Sequence, residues 1–70
     1  SSNIDRQMLK QCREYILQED WESALSKANS ILEFHATNYH ALVFKGLALL
    51  HMKKNVESEK TYIQACKLDP

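Results

Sequence analysis

Glycine and proline are almost missing from this chain of 70 residues: Gly46 and Pro70 are the single instances of each. A turn-rich β domain draws on both residues at its turns, and a phosphate-cradling loop needs several glycines, so neither is expected. Cysteine is confined to Cys12 and Cys66, too few for a disulfide framework. Charge of one sign is missing as well, since nine Lys and Arg balance nine Asp and Glu. That balance removes the electrostatic argument for non-specific binding to nucleic acid or to an anionic membrane. The longest apolar runs, residues 41–44 and 47–50, fall far short of the ~18 residues a membrane span requires. No basic segment leads into an apolar one as in a secretory leader. The Ser-Ser start in place of Met reads as that of an excised segment. Two cysteines on apolar faces point to a reducing, intracellular compartment. What remains is ordinary globular composition, 44% hydrophobic and 26% charged, which argues against disorder.

Four stretches carry helical periodicity, and none shows the alternation of a half-buried strand. Residues 4–18 space Ile4, Met8, Cys12 and Tyr15/Ile16 by three or four, behind a capping-box start at Ser2-Asn3-Ile4-Asp5. Residues 21–34 align Trp21, Ala24, Leu25, Ala28, Ile31 and Leu32, with Asp20 as N-cap and Glu22 at the positive end of the dipole. Residues 38–52 are apolar almost all round, which predicts packing on several sides. Residues 55–68 put Asn55 at the N-cap and Val56, Tyr62, Ile63, Ala65, Cys66 and Leu68 on the apolar face. Pro70 then turns Asp69 out of the helical region. Links of two or three residues make consecutive helices antiparallel neighbours. The sequence therefore predicts an all-α chain of two helical hairpins, residues 1–37 and 38–70.

A shift of 34 residues lays one hairpin on the other with no identical pair, yet the pattern agrees. Met8 falls on Leu42, Cys12 on Gly46, Tyr15 on Leu49, Ile16 on Leu50 and Phe34 on Leu68. Small residues at Cys12/Gly46 and Ala24/Ser58 are what close approach of two helices requires. Trp21 is expected to pack under the first hairpin, and Phe34 and Tyr39 to close the junction between the two.

A helix-turn-helix unit of this length resembles the tetratricopeptide repeat (TPR). The second unit carries the resemblance through Leu42, Gly46, Tyr62, Ala65 and Pro70, the first through Tyr15, Asp20-Trp21, Ala24-Leu25 and Ile31. It covers essentially the whole chain, and departs from the family where Gln11 and Lys45 replace Leu and Ala36 replaces Pro. The resemblance implies a right-handed α-α superhelix of two repeats, four antiparallel helices in all, acting as a non-catalytic protein–protein interaction module. It makes Cys12, Tyr15, Trp21, Ala24, Gly46, Tyr62, Ala65 and Pro70 repeat-packing positions. It also implies a partner groove formed by Arg6, Leu9, Arg13, Ile16, His40, Val43, Leu47, Leu50 and His51. Such a groove suits a helical or extended peptide segment, with Arg6 and Arg13 favouring an acidic flank. Leu47 and Leu50 would serve equally to pack a neighbouring repeat.

The runs Asp20-Trp21-Glu22-Ser23-Ala24-Leu25 and Asn38-Tyr39-His40-Ala41-Leu42-Val43-Phe44-Lys45-Gly46 are further similar to the opening repeats of the superkiller-complex TPR scaffold family. That resemblance implies a cytoplasmic scaffold (nucleus second) in mRNA decay, an exosome cofactor holding a helicase and a β-propeller subunit. The alternative is a TPR co-chaperone or peptide-binding adaptor. Phe44 stands where the carboxylate-clamping members of the family carry an Asn, which argues against capture of a chaperone tail.

Other chemistries have less support. His40 and His51 stand roughly 16 Å apart along one helix, so they cannot share a metal ion. His35 lies in a link, and no metal-ligand spacing occurs. No Gly-rich loop, carboxylate pair or nucleophile constellation is present, so no cofactor and no enzymatic activity are expected. Glu14, Glu19, Glu22, Glu33, Glu57 and Glu59 read as solvated residues near basic partners. Lys53-Lys54, Lys60 and Lys67 form a weak case for RNA contact, and no direct nucleic-acid or membrane binding is expected. Ile63, Val56, Cys66 and Leu68 are left uncovered on the last helix. A third repeat, a partner or a second copy of the chain is expected over them.

Overall fold

The computed structural model describes residues 3–69. Four helices occupy them: α1 (Asn3–Leu17), α2 (Trp21–Phe34), α3 (Tyr39–His51) and α4 (Asn55–Leu68), with no strand among the described residues. Each helix packs on the next, α1 also touches α3, and α4 touches α3 alone. Links of three or four residues leave consecutive helices no option but to run antiparallel. Because α1 meets α3 while α2 does not meet α4, the first helices of the two hairpins lie closer together than the second ones. The α1/α3 side is thus the inner side of the array.

The hairpins repeat in backbone detail at an offset of 34 residues. Glu19 and Lys53 both take left-handed backbone, at φ 59 and 64. Asp20 and Lys54 precede α2 and α4 with nearly the same dihedrals, φ −91, ψ 78 and φ −96, ψ 67. Asp20 N–H donates to the Tyr15 carbonyl and Lys54 N–H to that of Leu49, each at 2.9 Å. His35 and Asp69 end α2 and α4 alike, donating to Ile31 and Ala65.

The core follows from the small residues. Cys12, Ala24, Ala28 and Ala48 are fully buried, with Tyr15, Ile16, Trp21, Leu25 and Phe44 packed against them. The Cys12 thiol donates to the Ala24 carbonyl at 3.3 Å, and Ser58 Oγ donates to the Gly46 carbonyl at 2.7 Å. These two contacts occupy equivalent places, with the donor on the first helix of one hairpin and on the second helix of the other. A Cβ at Gly46 would come within 2.9 Å of the Tyr62 ring, so only glycine lets the ring approach α3 this closely. Ala65 is buried on α4, as are Ser58 and Thr61.

Several expectations need correction. Asp5, not Ile4, faces inward at the start of α1: Asp5 is buried and Ile4 is 66% exposed. Asp5 Oδ2 meets His35 Nε2 at 3.0 Å, so a polar contact ties α1 to the α2–α3 link where an apolar one was expected. Asn55 opens α4 as its first residue, and the cap is Lys54, which supplies no side-chain bond. Phe34 does not close the junction but is 78% exposed. Cys66 and Val56 are exposed, as expected of a last helix with nothing packed over it. The six glutamates are exposed, and none pairs with a Lys or Arg among the described residues. The capping box at Ser2 and the packing role of Pro70 lie outside the described residues.

Candidate protein-binding face

α1 brings Arg6, Leu9, Lys10 and Arg13 to one side by spacings of three and four, and α3 sets His40 and Phe44 opposite them. Together they line a hollow of about 250 Å³. Its floor is apolar, from half-buried Leu9 and Phe44, and its rim is basic, from exposed Arg6, Lys10 and Arg13, with His40 alongside. Asn38 sets the direction of α3 here. Its Oδ1 accepts from Ala41 N–H at 3.0 Å, which starts the helix one residue before His40.

The nine residues expected to form one groove are therefore divided. Arg6, Leu9, Arg13 and His40 come together in the hollow. Ile16 packs against the buried core. His51 stacks on Trp21, ring centroids 3.9 Å apart and planes within 5°. Trp21 is thus held between the core and the last residue of α3 rather than under the hairpin turn alone. Leu50 turns away to a second hollow, between α3 and α4, shared with Ser58, Tyr62, Ile63 and Cys66. Val43 and Leu47 are half-buried along α3.

Lys10 and Phe44 were missed as lining residues, though both carried a signal. Lys10 stands four after Arg6 and three before Arg13, and Phe44 stands four after His40, the spacing that shares a helix face.

The two thiols differ in kind. Burial pushes Cys12 up to about 11 from an ordinary 9.0, against the opposing pulls of Lys27 and a backbone bond from Ala28. Burial likewise raises the Tyr62 hydroxyl above 10.0. Cys66 is exposed. Among the described residues no group of His, Cys, Asp and Glu is arranged to hold a metal ion, and no helix is long and apolar enough to cross a membrane.

Comparison with known proteins places these features. The chain is 36% identical over 61 residues to Superkiller protein 3 of Schizosaccharomyces pombe, covering 87% of this chain and 4% of that protein. It is 29% identical over 63 residues to Tetratricopeptide repeat protein 37 of Xenopus laevis, covering 90% of this chain and 4% of that protein. The chain thus spans about 4% of the length of these curated relatives. No family profile matches it, and no solved structure does. The four helices in two hairpins of matching geometry, like the names of these homologues, fit a tetratricopeptide-type helical repeat module.

Proposed function

We propose that this chain is a non-catalytic protein-interaction module of a longer tetratricopeptide scaffold, made of one repeat over residues 1–37 and a second over 38–70. The carrying observation is the 34-residue recurrence of turn, cap and helix contact in a chain that matches Superkiller protein 3. In this reading the parent protein assembles a superkiller-type complex in cytoplasmic RNA decay, with helicase and β-propeller partners. The uncovered side of α4, where Leu50, Tyr62, Ile63 and Cys66 meet, packs the next hairpin of the same protein.

The test is affinity purification of the parent protein with and without these residues, read by mass spectrometry. Recovery of a helicase and a propeller protein supports the superkiller assignment, and chaperones in their place overturn it. Loss of one specific partner on deletion makes these repeats a docking module. Retention of every partner reduces them to a structural part of the array.

A further inference from the structure

We propose that the outward face of α2 docks an extended basic segment of a partner protein, with a Lys or Arg near each end and one apolar residue between them. This rests on the protein-interaction reading and adds a second contact surface, one that shares no residue with the α1/α3 hollow.

The first support is the shape of the surface. Glu22, Leu25, Ser26, Asn29, Ser30 and Glu33 recur at spacings of three and four, so they share one face along nearly the whole of α2. With Met52 at the end of α3 they line a hollow of about 420 Å³. α4 makes no contact with α2, so no helix covers this face among the described residues. Glu22, Ser26, Asn29 and Glu33 are exposed while Leu25 and Met52 are half-buried, which makes an open trough with an apolar floor. Glu22 and Glu33 stand eleven residues apart, roughly 16 Å along the helix axis. About five residues of extended chain, at ~3.3 Å each, cover most of that length, and the reach of two Lys side chains covers the rest.

The second support is charge. The chain is neutral as a whole, yet this hollow is lined by two carboxylates and no cation. Neither glutamate forms an ion pair among the described residues. Lys27, the one cation of α2, is half-buried on another flank, where it acts on Cys12. Lys53 and Lys54 follow Met52 without lining the hollow. A positive segment is therefore the complement of this face, and the phosphates of a nucleic acid are repelled by it. Between the two carboxylates, Ser30 Oγ donates to the Ser26 carbonyl at 3.1 Å. The Ser26 hydroxyl and the Asn29 amide have no side-chain partner among the described residues and can meet the main chain of a bound segment. Leu25 and Met52 then desolvate one aliphatic side chain between the cations.

The experiment is fluorescence anisotropy with the peptide Lys-Ser-Leu-Ser-Lys carrying an uncharged fluorophore, in which both Lys and the Leu share one side of an extended chain. Saturable binding that weakens with salt is expected. The double reversal Glu22→Lys with Glu33→Lys should weaken it roughly tenfold or more, because exposed attractions become repulsions. The charge-reversed peptide, with Glu in place of both Lys, should then bind the reversed protein better than the original one. Glu22→Gln with Glu33→Gln adds no repulsion and should weaken the first peptide several-fold. Replacing the peptide's Leu by Ser leaves the protein intact and should cost several-fold as well. Circular dichroism of the variants should be unchanged, since both glutamates are exposed. Absence of saturable binding, or binding indifferent to the reversal, overturns the proposal. So does salt-sensitive self-association, seen by sedimentation and lost in the reversed protein, without peptide binding; that result assigns the trough to a second copy of the chain. Peptide binding and partner recovery are read separately. Loss of a partner on deletion without peptide binding rejects the trough alone, and peptide binding with chaperones recovered rejects the superkiller assignment alone.

Discussion

At Gly46 a single hydrogen in place of a methyl decides how closely α3 and α4 approach, because a Cβ there would meet Tyr62 ring carbons at 2.9–3.0 Å. Gly46→Ala gains about 1 kcal/mol in helix propensity and costs about 1–3 kcal/mol in overpacking. The net expectation is a loss of about 1 kcal/mol in urea unfolding. In a Tyr62→Ala background the same change should become stabilising, and equal effects in both backgrounds would show that the ring is not the obstacle. Cys12 supplies the second case. Its thiol, fully buried and pushed up to about 11, should resist Ellman's reagent in the native chain at about pH 8 while exposed Cys66 reacts. The folded value lies above the ordinary 9.0, so the burial of the neutral thiol contributes its full stability below pH 9.0 and loses it as pH rises towards about 11. Urea midpoints should therefore fall through that alkaline window, and a Cys12→Ala variant should show a shallower fall. Tyr62, raised in the same sense, would account for part of the remainder.

Among the elements, α2 and α3 start under side-chain caps and α4 does not. Asp20 accepts from Ser23 N–H at 3.3 Å and Asn38 from Ala41 N–H at 3.0 Å, whereas Lys54 offers no acceptor. The backbone at Lys54 nevertheless matches that at Asp20, and Glu57 stands three residues on. Lys54→Ser would complete a capping box and is expected to add roughly 0.5–1 kcal/mol, raising Tm by several degrees. An unchanged Tm would mean that the cap geometry is not available to a short side chain. Helix existence and order were legible because each stretch keeps one period over three or four turns. The start of α4 was not, since Asn55 is a good cap by type but the turn sets the register. Left-handed Glu19 and Lys53 gave no signal either, because neither is a glycine.

For the molecule as a whole, α3 is the element that holds the others, touching α1, α2 and α4. Leu49 on it is 1% exposed, so Leu49→Ala should cost about 2–5 kcal/mol. A chain of this size has little stability in reserve, and cooperative thermal unfolding should be largely lost. On the outer side of α4, Val56 is 70% and Ile63 47% exposed, and Ile63→Lys should move the unfolding free energy by no more than about 0.5 kcal/mol. Trp21, the single tryptophan, stacks on His51 and so reports both experiments by its fluorescence. A large loss from Ile63→Lys would mean that α4 already has a cover in solution. Of the candidate face, the residues on α1 came from the resemblance to the repeat family, which implies a groove containing Arg6, Leu9 and Arg13. Its extent was not legible, because the position of α3 against α1 depends on how far the hairpins splay.

The sequence by itself determined four helices, their antiparallel order, the 34-residue period and the small residues where helices touch. These follow from local periodicity and short links, which leave few alternatives. Only the tertiary structure decided which exposed residues share a surface. Ile16 went to the core, His51 to Trp21 and Leu50 to the open side of α4. Arg6, Lys10 and Arg13 were left around Leu9 and Phe44. The reason is geometric. Helical period fixes the direction of a side chain about its own axis, whereas a site between two helices depends on their separation and crossing, set by the packing of all four.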